Sequence, residues 1–299
     1  MNTPSVLLPM AERFGRATLH WRGARSVLVP TAQGTVHAYD IPGRGSLPTT
    51  VLLHGLGSAA TSFAPLLLRL RSAVRRLIAP DYPGHGFSSM TASPLTADGL
   101  MAAVSTVLDV LVDEPALIIG NSLGGGVALR YAIAHPERVW ALVLVSPAGA
   151  QSTEEELAAL KHVFDIGSRP EALTFLRRLY PHPPGFVPLI AHELPAAMAR
   201  PAIRDLLASS GNDDVPAPEA LARLRMPILL LWGQEEHLLP DSHLDYFERH
   251  LPPHAIIARP EGFGHCPHVD APEALAQWIV DFAHSVPESG GASATRRRC

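Results

Sequence analysis

The chain has 299 residues, of which 47% are hydrophobic and 17% charged, enough for one large domain with a sizeable core and too apolar for a disordered chain. A formal net charge of −4 excludes the basic balance of a phosphate-backbone binder, so no nucleic acid is expected. No run of about 18 apolar residues is present, so no membrane span is expected. The first ten residues carry no basic segment followed by an apolar core, and two cysteines, Cys266 and Cys299, cannot form a disulfide framework; both point to a cytoplasmic protein with reduced thiols.

Residues 1 to about 25 have a mixed pattern that assigns to no element. From Ser26 to Ile41 the near-alternation predicts two antiparallel strands with a turn at Ala32-Gln33-Gly34. Pro42 to Pro48 reads as a loop, and Thr49 to Leu53 as a buried strand running into His54-Gly55-Leu56-Gly57. A leucine-rich helix follows over Ser62 to Leu70, then a strand over Arg76 to Ala79 that ends in Asp81-Tyr82-Pro83-Gly84-His85-Gly86-Phe87-Ser88. Thr96 to Val112 predicts an amphipathic helix with Leu100, Val104, Val107, Leu108 and Leu111 on one face.

The stretch Ala116 to Gly126 organises the rest. A short apolar run ends in Gly120-Asn121-Ser122-Leu123-Gly124, and a helical pattern begins at once. Strand, sharp turn and helix put Ser122 at the apex, with glycines two before and two after it where a Cβ would collide. Val139 to Val145 is a further apolar strand. Strands that are apolar throughout and alternate with helices indicate a mostly parallel sheet covered on both faces.

After Gly149 the rhythm breaks. Residues 151–225 show helical patterns over Glu154 to Phe164, Glu171 to Leu179 and Ala202 to Leu207, around a proline-rich bend at Tyr180 to Gly185. This predicts a helical cap (151–225) inserted between two parts of an α/β core, 1–150 and 226–285. The core resumes with a strand at Pro227 to Trp232, a helix at Ser242 to His250, a strand at Ala255 to Ala258 and a helix at Pro272 to His284. Residues 286–299 read as a disordered tail.

A serine hydroxyl needs a base, and the base needs a group that fixes its tautomer. The loop after Leu231 supplies a carboxylate from Glu235 or Glu236, and Gly262-Phe263-Gly264-His265 supplies an imidazole past the next strand. In open parallel sheets such groups gather at the carboxyl ends of the strands.

With His54-Gly55-Leu56-Gly57, Asp81 to Ser88, Gly120 to Gly125, Leu231-Trp232-Gly233 and Gly264-His265, residues 26 to 284 resemble an α/β-hydrolase-fold serine hydrolase with a cap. That resemblance implies Ser122 as nucleophile and His265 as base. It implies Glu236 as the acid, four residues after Trp232 and followed by Pro240, where the family usually has aspartate; Glu235 is the runner-up and Asp241 the third choice. It further implies the N–H groups of Leu56 and Leu123 as oxyanion donors.

His54 reads as a brace for its loop, His85 as a local packing residue and Cys266 as a small apolar filler. His268, three residues past His265, lacks the partners of a zinc site, so no metal and no cofactor are expected. The expected function is hydrolysis of a carboxylic ester, or a related acyl bond, of a small and largely apolar substrate by a monomer or homodimer. Carbon–carbon hydrolysis of meta-cleavage ring-fission products, lactonase, thioesterase and perhydrolase chemistry, and a non-catalytic ligand-binding relic are the alternatives. Haloalkane dehalogenases and epoxide hydrolases of this fold have aspartate where this chain has Ser122.

Overall fold

The computed structural model of the chain describes residues 6–90, 93–183, 185 and 187–287. The tail expected over 286–299 falls outside the described residues from 288 onward, and Cys299 with it. Helix α1 (Leu7–Trp21) comes first, in the stretch whose sequence assigned to nothing. It stops at Gly23, whose φ of 93° closes the helix in the left-handed region that glycine adopts without steric cost.

Strands β1 (Arg25–Thr31) and β2 (Gly34–Pro42) form the expected antiparallel pair. Strands β3 (Thr50–Leu53) and β4 (Arg76–Pro80) are separated by α2 (Ala64–Leu70). Next come α3 (Ala97–Leu111), β5 (Ala116–Asn121), α4 (Leu123–Ala134) and β6 (Val139–Val145). Among the described residues the long interval after β6 first holds α5 (Glu154–Val163), α6 (Arg169–Leu179), α7 (Val187–Ile190), α8 (Leu194–Met198) and α9 (Pro201–Ser209). Then follow α10 (Pro218–Ala222), β7 (Ile228–Leu231), α11 (Asp241–His250), β8 (Ile256–Ala258), α12 (Pro267–Asp270) and α13 (Pro272–Ser285).

The eight strands form one sheet in the order β1-β2-β4-β3-β5-β6-β7-β8. β2 pairs antiparallel with β1 and β4, and every other pairing is parallel. The two-residue period of a strand sends alternate side chains to opposite faces. In β5, Ile118 enters one core with α3, α4 and α11, while Leu117 and Ile119 enter a second core with α1, α2 and α13. β6 and β7 divide the same way, which is why their sequences are apolar without interruption.

Helices α5 to α9 supply most of a third cluster, around Phe175, Leu176, Met198 and Ile203, which Leu238 from the loop after β7 joins. It rests on the loop after β3: Leu56 packs into it, and Met198 and Ile203 lie against Gly57. α9 also places Ala202 and Leu206 in the first core, and α10 places Leu221 there. Among the described residues no helix is long and apolar enough to cross a membrane.

Candidate active site

Ser122 has φ 55° and ψ −122°, a conformation that costs a non-glycine residue strain and is held only because its surroundings fix it. The surroundings are backbone. A Cβ on Gly120 would overlap the carbonyl of Gly124, and one on Gly124 would overlap the carbonyl of Leu53. The Ser122 N–H donates to Val145 O at 3.1 Å, and its carbonyl accepts from Gly125, Gly126 and Ala148. The turn is thus pinned to the end of β6, with the hydroxyl just past the carboxyl end of β5.

The pairing of β6 with β7 and β7 with β8 persists to the strand ends, where Ser146 N donates to Leu231 O and Trp232 N to Ala258 O, each at 2.9 Å. Gly233 follows. A Cβ there would overlap the carbonyl of Phe263, so only glycine lets the loop after β7 lie against the loop after β8. That contact brings Glu236 to His265, with Nδ1 2.8 Å from Oε2 and both side chains almost fully buried. Because a carboxylate only accepts, Nδ1 carries the proton and the lone pair of the neutral ring falls on Nε2.

The other oxygen of Glu236, Oε1, accepts from Leu238 N at 2.7 Å and Leu239 N at 3.0 Å. Burial pushes this carboxyl up, but His265, the nearby Ser146 hydroxyl and the Leu239 N–H outweigh it and hold it below its ordinary value. Ser146 sits at φ 40°, and its hydroxyl does not meet full hydrogen-bond geometry with any protein group. Of the two other acid candidates, Glu235 has no hydrogen bond or ion pair with the imidazole among the described residues, and Asp241 begins α11 and faces Arg259 at 3.9 Å.

Ser122 and His265 are linked through a residue that sequence reasoning assigned no role. Asn121 Nδ2 donates to Val145 O at 3.1 Å and to His265 O at 2.8 Å. Its Oδ1 faces the Cys266 thiol at 3.9 Å. Burial, with Glu236 and Asp270 nearby, pushes that thiol well up, so Cys266 is a neutral filler. Among the described residues no hydrogen bond joins Ser122 Oγ to His265 Nε2 directly.

The N–H groups of Leu56 and Leu123 donate to no protein acceptor among the described residues. Two neutral histidines shape the Leu56 loop. His54 accepts from Tyr82 N at Nε2 (3.1 Å) and meets Gly55 O through Nδ1 (2.8 Å); burial lowers its pKa. His85 accepts from Gly57 N at 3.4 Å, and burial, with His54 nearby, lowers it to about 3. Both rings hydrogen-bond within and around their loops, the expected brace at His54 and local contact at His85. His268 is buried against Phe63, with burial as the main cause of a pKa near 3.

A cavity of about 790 Å³ opens among α5, α6, α8 and α9, lined in part by Lys161, Phe164, Arg169, His192, Met198 and Arg204. A second, of about 350 Å³, lies between α5 and the 236–241 loop. Neither is lined by Ser122 or His265. Leu173 and Leu176 pack within the third cluster and line neither cavity.

Residues 50–278 match the family described as the alpha/beta hydrolase family. A pimeloyl-acyl-carrier-protein methyl ester esterase from Neisseria meningitidis is 30% identical over 81% of this chain and 98% of its own length. One from Xanthomonas axonopodis pv. citri is 30% identical over 83% and 99%. Among solved structures, a membrane phospholipase A described as a bacterial virulence factor superposes with a TM-score of 0.79 at 23% identity, covering 94% of this chain and 93% of that one. A carboxylesterase from Bacillus subtilis gives 0.74 at 23%, covering 93% and 98%. A 2-hydroxy-6-oxo-6-phenylhexa-2,4-dienoate hydrolase from a Rhodococcus strain gives 0.76 at 22%, covering 88% and 99%. At these identities the structural likeness shows the fold alone.

Proposed function

This chain belongs to the alpha/beta hydrolase family, and we propose that it hydrolyses a carboxylic ester of a small, largely apolar substrate through an acyl-enzyme. The single observation that carries the reading is the buried 2.8 Å contact of Glu236 Oε2 with His265 Nδ1, formed beside a serine on a strained strand-to-helix turn. That contact fixes the tautomer in which Nε2 can accept a proton.

In the proposed reaction Ser122 Oγ attacks the ester carbonyl carbon while its proton passes to His265 Nε2. The N–H groups of Leu56 and Leu123 receive the oxyanion; such donors are typically worth about 3 kcal/mol each. Collapse of the tetrahedral intermediate breaks the acyl–oxygen bond, and the imidazolium returns its proton to the leaving alcohol. Water, deprotonated by the same nitrogen, then releases the acid and restores Ser122. Glu236 holds the ring and balances its transient charge throughout. No metal or cofactor enters these steps, and the enzyme is proposed to act in the cytoplasm on a free small molecule. The esterases among the sequence relatives favour an ester among the acyl bonds that this chemistry can cleave.

Helices α5 to α9, within the interval 151–225, are the proposed cap, since their cluster rests on the Leu56 loop. The test is covalent labelling with a fluorophosphonate, followed by turnover on p-nitrophenyl esters of graded chain length. Ser122→Ala should abolish labelling and lower kcat by several orders of magnitude with the melting temperature nearly unchanged. Turnover above a few per cent of wild type in that variant would remove Ser122 from the role.

A further inference from the structure

Helix α1 presents an apolar side to solvent. Leu19 is fully buried against the second core, and Leu8, Gly15 and Arg16 flank it on the inner side. The outer side carries Leu7, Met10, Phe14, Ala17 and Trp21, whose spacing of three and four residues aligns them in one stripe along the helix. Phe14 and Trp21 are 76% and 79% exposed and Met10 57%. Large apolar side chains gathered in one exposed stripe mark a contact surface.

The exposed charged side chains on this stretch beside the stripe are basic: Arg13 on the helix and Arg22 just past its end, with Arg25 further on, across from Asp40 in the β1–β2 pair. Arg22 lies over the Trp21 ring at 4.8 Å. The one acid of the helix, Glu12, is on the inner side, where burial raises its pKa. A chain with a net charge of −4 thus places Arg13 and Arg22 beside the exposed Phe14 and Trp21.

Two occupants suit such a face, a second copy of the chain or a lipid surface. Five residues a side fall well short of the roughly 20–30 that a stable protein interface uses, and pairing two copies would bring like charges together. An anionic bilayer satisfies both features: aromatic rings settle at the headgroup boundary while guanidinium groups meet phosphates. We propose that α1 lies in the plane of an anionic lipid surface, with the Leu7–Trp21 stripe inserted and the arginines on the headgroups. The helix is also tied to the α5–α9 cluster. The Glu193 carboxylate accepts from Val6, Leu7 and Leu8 N–H at 2.7, 2.6 and 2.7 Å, so the seated helix holds that cluster beside the membrane.

The test is co-sedimentation of the full chain with vesicles of equimolar phosphatidylcholine and phosphatidylglycerol, and with phosphatidylcholine alone. Wild type should bind the anionic vesicles at least about tenfold more tightly than the neutral ones, and molar salt should abolish the difference. Phe14→Ala with Trp21→Ala should weaken binding by about tenfold or more with an unchanged circular dichroism spectrum. Arg13→Gln with Arg22→Gln should remove the preference for anionic lipid. If the wild-type chain stays in the supernatant with anionic vesicles, the proposal fails. It fails equally if sedimentation equilibrium shows a dimer that the Phe14 and Trp21 substitutions dissociate, because the stripe is then covered by a second copy.

Discussion

Glu236 has its charge fixed by partners inside the protein, since water hardly reaches it. Its two oxygens accept from two backbone N–H groups and one imidazole, and these outweigh the cost of burial. The glutamine variant keeps the shape and removes the charge, and its amide would face the Nδ1 proton with a donor or an uncharged acceptor. Glu236→Gln should therefore lower kcat by about a thousand- to ten-thousandfold, the size of effect expected when the wrong tautomer is favoured. The sign of the pH effect on stability follows from the lowered pKa. The carboxylate stabilises the fold at pH values above its ordinary 4.5, and that contribution is lost as pH falls through the lower folded value. In a series of thermal melts, wild type should exceed Glu236→Gln at neutral pH, with the gap closing in acid. A gap that is the same at every pH would mean that shape, not charge, sets the difference.

Among the elements, β6 was legible from Val139 to Val145 because a strand buried on both faces is apolar without interruption. The Ser122 turn was legible for a related reason: glycine stands where backbone meets backbone, and Gly120, Gly124 and Gly233 mark such contacts directly. The helix over Leu7–Trp21 was not: residues 7, 10, 14, 17 and 21 keep helical spacing, but Pro9 and Gly15 interrupt the stretch and no capping side chain or first-turn acid marks its start. Helices α7 and α8 were missed because four or five residues carry no period. The bridge from Asn121 to His265 O joins residues 144 apart, and no local pattern encodes it. The same holds for Glu193, whose carboxylate caps a helix nearly two hundred residues earlier in the chain. Glu193→Ala leaves three first-turn N–H groups of α1 without that acceptor, a loss of about 1–3 kcal/mol. By hydrogen exchange the amides of α1 should then exchange about tenfold or more faster, while those of Ala116–Ile119 in β5 stay protected. Equal acceleration of both would show global destabilisation and no local tie.

For the molecule as a whole, acid stability is set by carboxylates shifted in opposite directions. Asp81 is buried and accepts from His37 Nδ1, Ala60 N and Phe87 N, joining β2, the turn before α2 and the loop after β4. Burial raises its pKa, but these partners more than offset it, so Asp81 stabilises the fold with Glu236 and loses that effect as pH falls. Asp270 is the opposite case. It ends α12, beside the loop that carries His265, and neither carboxylate oxygen has a hydrogen-bond partner of good geometry. Burial raises it to about 6; its own backbone N–H and His182 partly offset that rise, and Glu235 adds to it. A carboxyl that is harder to ionise in the folded chain than in the unfolded one costs stability as pH rises from 3.8 through about 6, and the cost is fully present above that. Asp270→Asn removes the charge and keeps the volume. Discounted for the partial exposure of this residue, the effect is about 1 kcal/mol, and the variant should raise the melting temperature near neutral pH by about 2–4 °C. Below pH 3.8, where the native aspartate is protonated in both states, the two proteins should melt together. The measurement is a pair of calorimetric scans at each pH. A gain that persists unchanged into acid would place the effect in packing, and a loss at neutral pH would mean that the ionised Asp270 has a stabilising partner.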